Sequence, residues 1–205
     1  MKTILFYVKI KQEKSAKQQL RQKGEIMRVF IALNLPDKTK DNLERSASQF
    51  KTLATGGAFV PKENYHVTLH FLGNVEKNNL IYIQSAMDSA INMPAPKLSI
   101  NQFAVMRASN VVCAKFNKNA DLTALHDKLA DSLDKMGFTV ERRAYRPHVT
   151  LIRKYSFSLP FGEATKCVDV YNKPFDAPEV VLYQSVFTDS GVKYAPLYSV
   201  TLSAR

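Results

Sequence analysis

The chain holds four histidines, and two of them head copies of one tetrapeptide. His66-Val67-Thr68-Leu69 recurs later as His148-Val149-Thr150-Leu151. Imidazole titrates near pH 6.5, so close to neutrality one ring can be neutral while its partner carries a proton. The neutral ring takes a proton from water and the cationic ring gives one to a leaving oxygen, which is general acid–base chemistry suited to a phosphodiester. A threonine two residues further along a strand shares the histidine's face, about 7 Å away, where its hydroxyl can donate to a non-bridging phosphate oxygen. Arg153, just past the second copy, adds fixed positive charge where negative charge gathers in the transition state. In a regular strand Arg153 would face away from His148, so this role requires a bulge or a strand end. A lone copy would read as a strand with a solvated polar face. The identical pair, with Arg142, Arg143, Arg146, Arg153 and Lys154 bracketing the second, points to a site.

Other chemistries fit less well. His66-Val-Thr-Leu-His70 has the i, i+4 histidine spacing of zinc-protease helices but lacks their glutamate. On a strand such residues lie roughly 13 Å apart and cannot share a metal ion with bonds of about 2 Å. No Gly-x-Ser-x-Gly elbow occurs, neither cysteine adjoins a motif histidine, and Gly56-Gly57 lacks the Gly-Lys-Ser/Thr ending of a phosphate loop. No metal or cofactor is expected.

The elements that must position these residues are legible in the pattern. Asn64–Gly73 reads as a strand with Val67, Leu69 and Phe71 on one face and His66, Thr68 and His70 on the other. His70, on the histidine face, is expected at the cleft edge. Met27–Leu35 reads as a strand ended by Pro36, followed by a helix over 38–53 capped by Asp37 and stopped by Thr55-Gly56-Gly57. A helix is expected over 76–93. Leu98–Val105 and Val111–Phe116 read as a hairpin. The stripe Leu122, Leu125, Leu129, Leu133 predicts a helix capped by Asn119 or Asp121 and ended by Gly137, with His126 off the stripe at its surface or boundary. Phe138–Val140 and Pro147–Ile152 are strand-like, 156–178 is irregular, and Val180–Thr188 and Tyr194–Leu202 close the chain as strands. Helices mixed with antiparallel hairpins make the class α+β. Each half offers a helix, a connection and then His-Val-Thr-Leu, so two lobes facing across a cleft would unite the motifs.

Twenty-nine basic against 18 acidic residues give a net charge of +11, a field that attracts nucleic acid or nucleotides. Residues 1–26 carry seven of the basic and two of the acidic residues and read as a basic extension to a single bilobal domain over 27–205. The extension reads as a disordered basic arm or marginal helix in preference to a nucleic-acid-binding tail; alternatively, a purine-rich codon string for Lys23-Gly24-Glu25 would resemble a ribosome-binding site before Met27, making it a start-site artefact. No apolar run nears the roughly 20 residues of a membrane span. Two cysteines give no disulfide framework, which favours a reducing, cytoplasmic setting with both side chains buried as small hydrophobes.

Two His-x-Thr motifs in a chain of this size resemble the 2H phosphoesterase superfamily, in particular the RNA 2′,3′-cyclic phosphodiesterases, also called LigT-like 2′-5′ RNA ligases. The resemblance runs from Arg28-Val-Phe-Ile-Ala-Leu-Asn-Leu-Pro through Val60–Gly73 and Arg146-Pro-His-Val-Thr-Leu-Ile-Arg to the closing strands. It implies a bilobal α+β fold of two antiparallel sheets with outer helices around a central cleft. It further implies metal-free hydrolysis of an RNA or nucleoside 2′,3′-cyclic phosphate to a 2′-phosphate. His66 and His148 match the catalytic pair, usually acid and base in that order. Thr68, Thr150 and Arg153 match the phosphate-binding residues. Cys113 and Asn34 depart from the family pattern and are expected to lie off the motifs. The expected partners are RNA ends or nucleotides bearing a cyclic phosphate, with no membrane and a monomeric chain. The rival readings are 2′-5′ RNA ligation in the same site and non-catalytic RNA binding.

Overall fold

A computed structural model describes residues 24–204 apart from Arg143 and Ser190, so the basic extension up to residue 23 lies outside the described residues. Strand β1 (Ile26–Asn34) is buried almost continuously because it lies inside a sheet, between β3 (His66–Glu76) and β9 (Glu179–Thr188). β10 (Gly191–Thr201) completes this first sheet in the order β10-β9-β1-β3. The second sheet has the order β2-β7-β6-β5, from β2 (Ala54–Phe59), β5 (Ile100–Met106), β6 (Val111–Phe116) and β7 (His148–Phe157). A small ribbon pairs β4 (Lys97–Leu98) with β8 (Phe175–Asp176). Every strand pair in these sheets is antiparallel. The α+β class and the two facing sheets are those expected.

The helices change partners between the halves. Helix α1 (Asp37–Leu53) precedes the first motif but packs on β2 and β7 of the second sheet. Its Phe50 meets Phe103 edge-on at 5.2 Å and Phe157 at 5.8 Å. Helix α3 (Ala120–Lys135) precedes the second motif but packs on β3 of the first sheet and on α2 (Leu80–Asp88). The leucine stripe of α3 is fully buried, each leucine worth about 1.5–3 kcal/mol. Asn119 caps α3, its Oδ1 accepting from the Leu122 amide at 2.8 Å, and Gly137 takes the left-handed conformation that ends it. Halves of the sequence are therefore not lobes of the structure.

Other expectations need correction. Pro36, not Asp37, holds the cap position of α1. Residues 54–59 form β2, because Gly57 (φ +140°) lets that strand lie against the backbone of Tyr155. Gly73 does not close β3, which bulges and runs on to Glu76. The helix expected from residue 76 starts at Leu80 and ends at Asp88. Phe138–Val140 joins no strand among the described residues, and 156–178 includes a short helix α4 (Phe161–Lys166). No helix among the described residues is long and apolar enough to cross a membrane.

Candidate active site

The sheets approach each other along the two motif strands, β3 and β7. Between them lies a cleft of about 750 Å³ lined by His66, Thr68, His148, Thr150 and Arg153. All five predicted site residues thus meet in one cleft.

A shared irregularity in the two strands arranges them. On β3 the ladder to β1 skips Leu69, so Thr68 pairs with Ala32 and His70 with Ile31. On β7 the ladder to β6 skips Leu151, so Thr150 pairs with Cys113 and Ile152 with Val112. Each skipped leucine is a β-bulge at the same place in its motif, and each resets which face the following residues take. On β7 the bulge buries Ile152 and turns Arg153 into the cleft, meeting the condition its role requires. On β3 it buries His70, 3% exposed, and turns Phe71 into the cleft, 51% exposed. The expected faces of His70 and Phe71 are thereby exchanged. Arg28 reaches across from β1, its guanidinium 4.9 Å from the Phe71 ring centre.

The two motif rings are oriented by backbone. His66 Nδ1 lies 2.7 Å from the Asn64 carbonyl oxygen and His148 Nδ1 lies 2.9 Å from that of Arg146. A carbonyl oxygen can only accept, so both rings carry a proton on Nδ1 and, when neutral, hold their lone pair on Nε2. His66 Nε2 then accepts from the Thr68 hydroxyl at 3.0 Å.

His66 sits against an aromatic wall. Phe30 is 4.9 Å from its ring and Tyr194 meets it edge-on at 5.1 Å. This burial is the main cause that lowers its pKa to about 4, helped by the positive charges of Arg153, His148 and Lys40 and opposed by the Asn64 carbonyl. Near pH 7 His66 is therefore neutral.

His70 and His126 belong to a second, buried arrangement behind β3. His126 is 8% exposed, not a surface residue, because α3 turns it inward onto β3. Its ring stacks on His70 at 4.4 Å and on Tyr145 at 4.1 Å, while its Nδ1–H donates to Asp127 at 2.8 Å. His70 Nε2–H donates to the His126 carbonyl at 2.8 Å, and the Tyr145 hydroxyl donates to the Thr68 carbonyl at 3.0 Å. Burial lowers the His70 pKa to about 4 and raises that of Tyr145 well above the usual phenol range. The stack ties the segment that delivers His148 to the strand that carries His66. His66 and His70 thus lie on opposite sides of β3, and among the described residues no three His, Cys, Asp or Glu side chains converge as a metal-ligand set.

Several contributors have little or no signature in the sequence. Arg28 and Phe30 share the cleft face of β1, and their i, i+2 spacing is the signal that could have found them. Tyr194 and Tyr145 carry no signal beyond being aromatic. Cys113 and Asn34, expected off the motifs, are the ladder partners of Thr150 and His66. Asn34 also accepts from Lys40 at 2.8 Å and donates to Glu179 at 2.7 Å. Cys113 is buried as expected, whereas Cys167 is exposed.

A family model described as LigT-like phosphoesterase matches residues 33–113. An RNA 2′,3′-cyclic phosphodiesterase of Methanothermobacter thermautotrophicus is 30% identical over 131 residues, which are 62% of this chain and 71% of that protein. One from Geobacillus stearothermophilus is 27% identical over 161 residues, 76% of this chain and 51% of the relative, so the chain spans about half the relative's length. The crystal structure of Escherichia coli LigT complexed with 3′-AMP superposes with a TM-score of 0.73 at 26% identity, covering 87% of this chain and 99% of that one. With its paired motifs, bulged strands and facing sheets, the chain belongs to the LigT-like phosphoesterases of the 2H superfamily, the family of the RNA 2′,3′-cyclic phosphodiesterases.

Proposed function

We propose that the chain hydrolyses the 2′,3′-cyclic phosphate of an RNA end or nucleotide to a 2′-phosphate, with His66 and His148 moving the protons. The observation that carries this reading is the pair of backbone-latched rings, each holding its lone pair on Nε2 at one cleft, that of His66 bonded only to the Thr68 hydroxyl. Water attacks phosphorus and loses its proton to His148 Nε2. The bond from phosphorus to O3′ breaks, and O3′ takes the proton on His66 Nε2. The lowered pKa leaves His66 neutral near pH 7, so it gains that proton as the phosphate anion enters and offsets the nearby positive charges. Entry also frees the Thr68 hydroxyl from His66 to donate to a non-bridging oxygen. Thr150 makes the equivalent contact from the other strand, and Arg153 holds the developing negative charge.

One chain supplies both halves of the site, which supports a monomer. The free thiols Cys113 and Cys167 support a reducing, cytoplasmic setting. Phosphorus NMR of 2′,3′-cyclic nucleotides and cyclic-ended oligoribonucleotides, run with EDTA, reports turnover and which P–O bond breaks. His66→Ala and His148→Ala should each lower turnover at least about 100-fold without altering the circular dichroism spectrum. Near-normal activity in either variant would falsify the two-histidine mechanism.

A further inference from the structure

Among the described residues only two besides glycines have positive φ, Asn110 at 49° and Lys154 at 51°. They are bonded to each other, the Lys154 amide donating to the Asn110 carbonyl at 2.8 Å. Asparagine visits the left-handed region readily, and Asn110 ends the turn Arg107–Ser109 there. Lysine does not, because its Cβ crowds the following carbonyl oxygen. The Lys154 side chain offers no compensation. It is exposed, it does not line the cleft, and no carboxylate among the described residues pairs with it. A conformation of this kind persists where the surrounding structure imposes it.

The pairing around Lys154 is what imposes it. Arg153 is in register with Val111 of β6 on one side and with Ala58 of β2 on the other. On the β2 side the ladder resumes with Ser156 opposite Gly56, so Lys154 and Tyr155 together face the single residue Gly57. This is a second bulge, after the one at Leu151, and Lys154 takes the left-handed position that glycine usually fills in such bulges. A regular strand would set Tyr155 opposite Gly56, and keeping Ser156 there would then require Arg153 to shift by one place and change face. Arg153 thus stands between two breaks: the first turns it into the cleft, and the second lets β7 rejoin β2 without moving it. We infer that the left-handed backbone of Lys154 is a positioning device that holds the Arg153 guanidinium in the cleft, and that the Lys154 ammonium takes no part. The inference rests on the phosphate-binding role proposed for Arg153 and adds a positioning residue to it.

The test compares three variants that all lose the ammonium. Asparagine and glycine adopt the left-handed region, whereas β-branched valine is an outlier there. Lys154→Asn and Lys154→Gly should keep kcat on a nucleoside 2′,3′-cyclic monophosphate within about twofold of wild type. Lys154→Val should lower kcat about tenfold or more with a smaller change in KM, because Arg153 acts mainly on the transition state. The His66 pKa is lowered first by burial and then by the Arg153 charge, so Lys154→Val should raise it towards its value in Arg153→Gln, read by NMR titration. In the Arg153→Gln background Lys154→Val should cost no further activity. A residue that only supports the fold would lower urea stability without moving the His66 titration. Equal losses in all three variants would assign the effect to the ammonium and overturn the inference. Wild-type kcat and His66 titration in Lys154→Val would overturn it as well. Should Lys154→Val not fold, Lys154→Thr in trimethylamine N-oxide, which favours the compact chain, takes its place under the same criteria. If wild type hydrolyses no cyclic phosphate, the phosphodiesterase reading fails, and the His66 titrations still decide the positioning of Arg153. A pKa raised in Lys154→Val and unmoved in Lys154→Asn supports it, and any other pattern refutes it.

Discussion

His70 offers a quantitative handle on the buried stack that joins the two motifs. It is 3% exposed, and burial lowers its pKa from 6.5 to about 4, with the His126 carbonyl opposing and His126 and Arg142 adding to the effect. A histidine depressed on folding is neutral in both states above pH 6.5 and costs nothing there. As pH falls below 6.5, the unfolded chain takes up a proton that the folded chain refuses, so stability is lost down to about pH 4. The full difference corresponds to roughly 3 kcal/mol, of which about 2 kcal/mol is already lost at pH 5. His66 contributes with the same sign, so wild type alone does not isolate the effect. His70→Gln does, because the amide can still donate to the His126 carbonyl but does not titrate. Urea unfolding of both proteins between about pH 7.5 and 4.5 should show the variant losing about 2 kcal/mol less than wild type by pH 5. Parallel pH dependences would mean that His70 is protonated within the fold, and the stack would not be a neutral packing unit.

Arg153→Gln should lower kcat about 100-fold or more through loss of transition-state stabilisation, with Arg153→Lys recovering part of it. The same loss of positive charge should raise the His66 pKa, readable by NMR titration; an unmoved His66 would place Arg153 outside the cleft's electrostatics. Tyr145→Phe keeps the stack on His126 but removes the bond to the Thr68 carbonyl, so about 1 kcal/mol of stability should go, with kcat affected more than KM. Unchanged stability and kcat would show that this bond positions nothing. Gly57→Ala places a Cβ 3.0 Å from the Ile152 side chain and 3.3 Å from the Tyr155 backbone at φ +140°, and should cost about 1–3 kcal/mol in thermal or urea unfolding.

The site is legible in the sequence to an unusual degree because the two motifs are identical and histidine is scarce. Helices α1 and α3 are legible from their apolar stripes, and Asn119 and Gly137 mark the ends of α3 by chemistry that needs no tertiary context. The bulges are not legible. Alternation assigns faces only while the ladder stays in register, and the skipped residues at Leu69 and Leu151 follow from pairing with distant β1 and β6. Alternation therefore puts His70 and Phe71 on each other's faces, and it leaves the role of Arg153 conditional on a break. Strand β2 is hidden by its glycines, which weaken a strand pattern while permitting close approach. A stripe shows that a helix is buried but not against what, so the exchange of α1 and α3 between the sheets leaves no mark on periodicity.

The backbone latch on each motif histidine has a consequence for how such a site can change. The group that fixes the proton on Nδ1 is a carbonyl two residues upstream on the same strand entry, not a side chain elsewhere in the fold. Each half-site is thus a self-contained cassette that travels with its own orienting partner. Substitutions on the cleft walls, or a change in the spacing of the lobes, alter which substrate fits without altering which nitrogen offers its lone pair. Proton placement and substrate choice are written in separate parts of the chain, and one can drift while the other is kept.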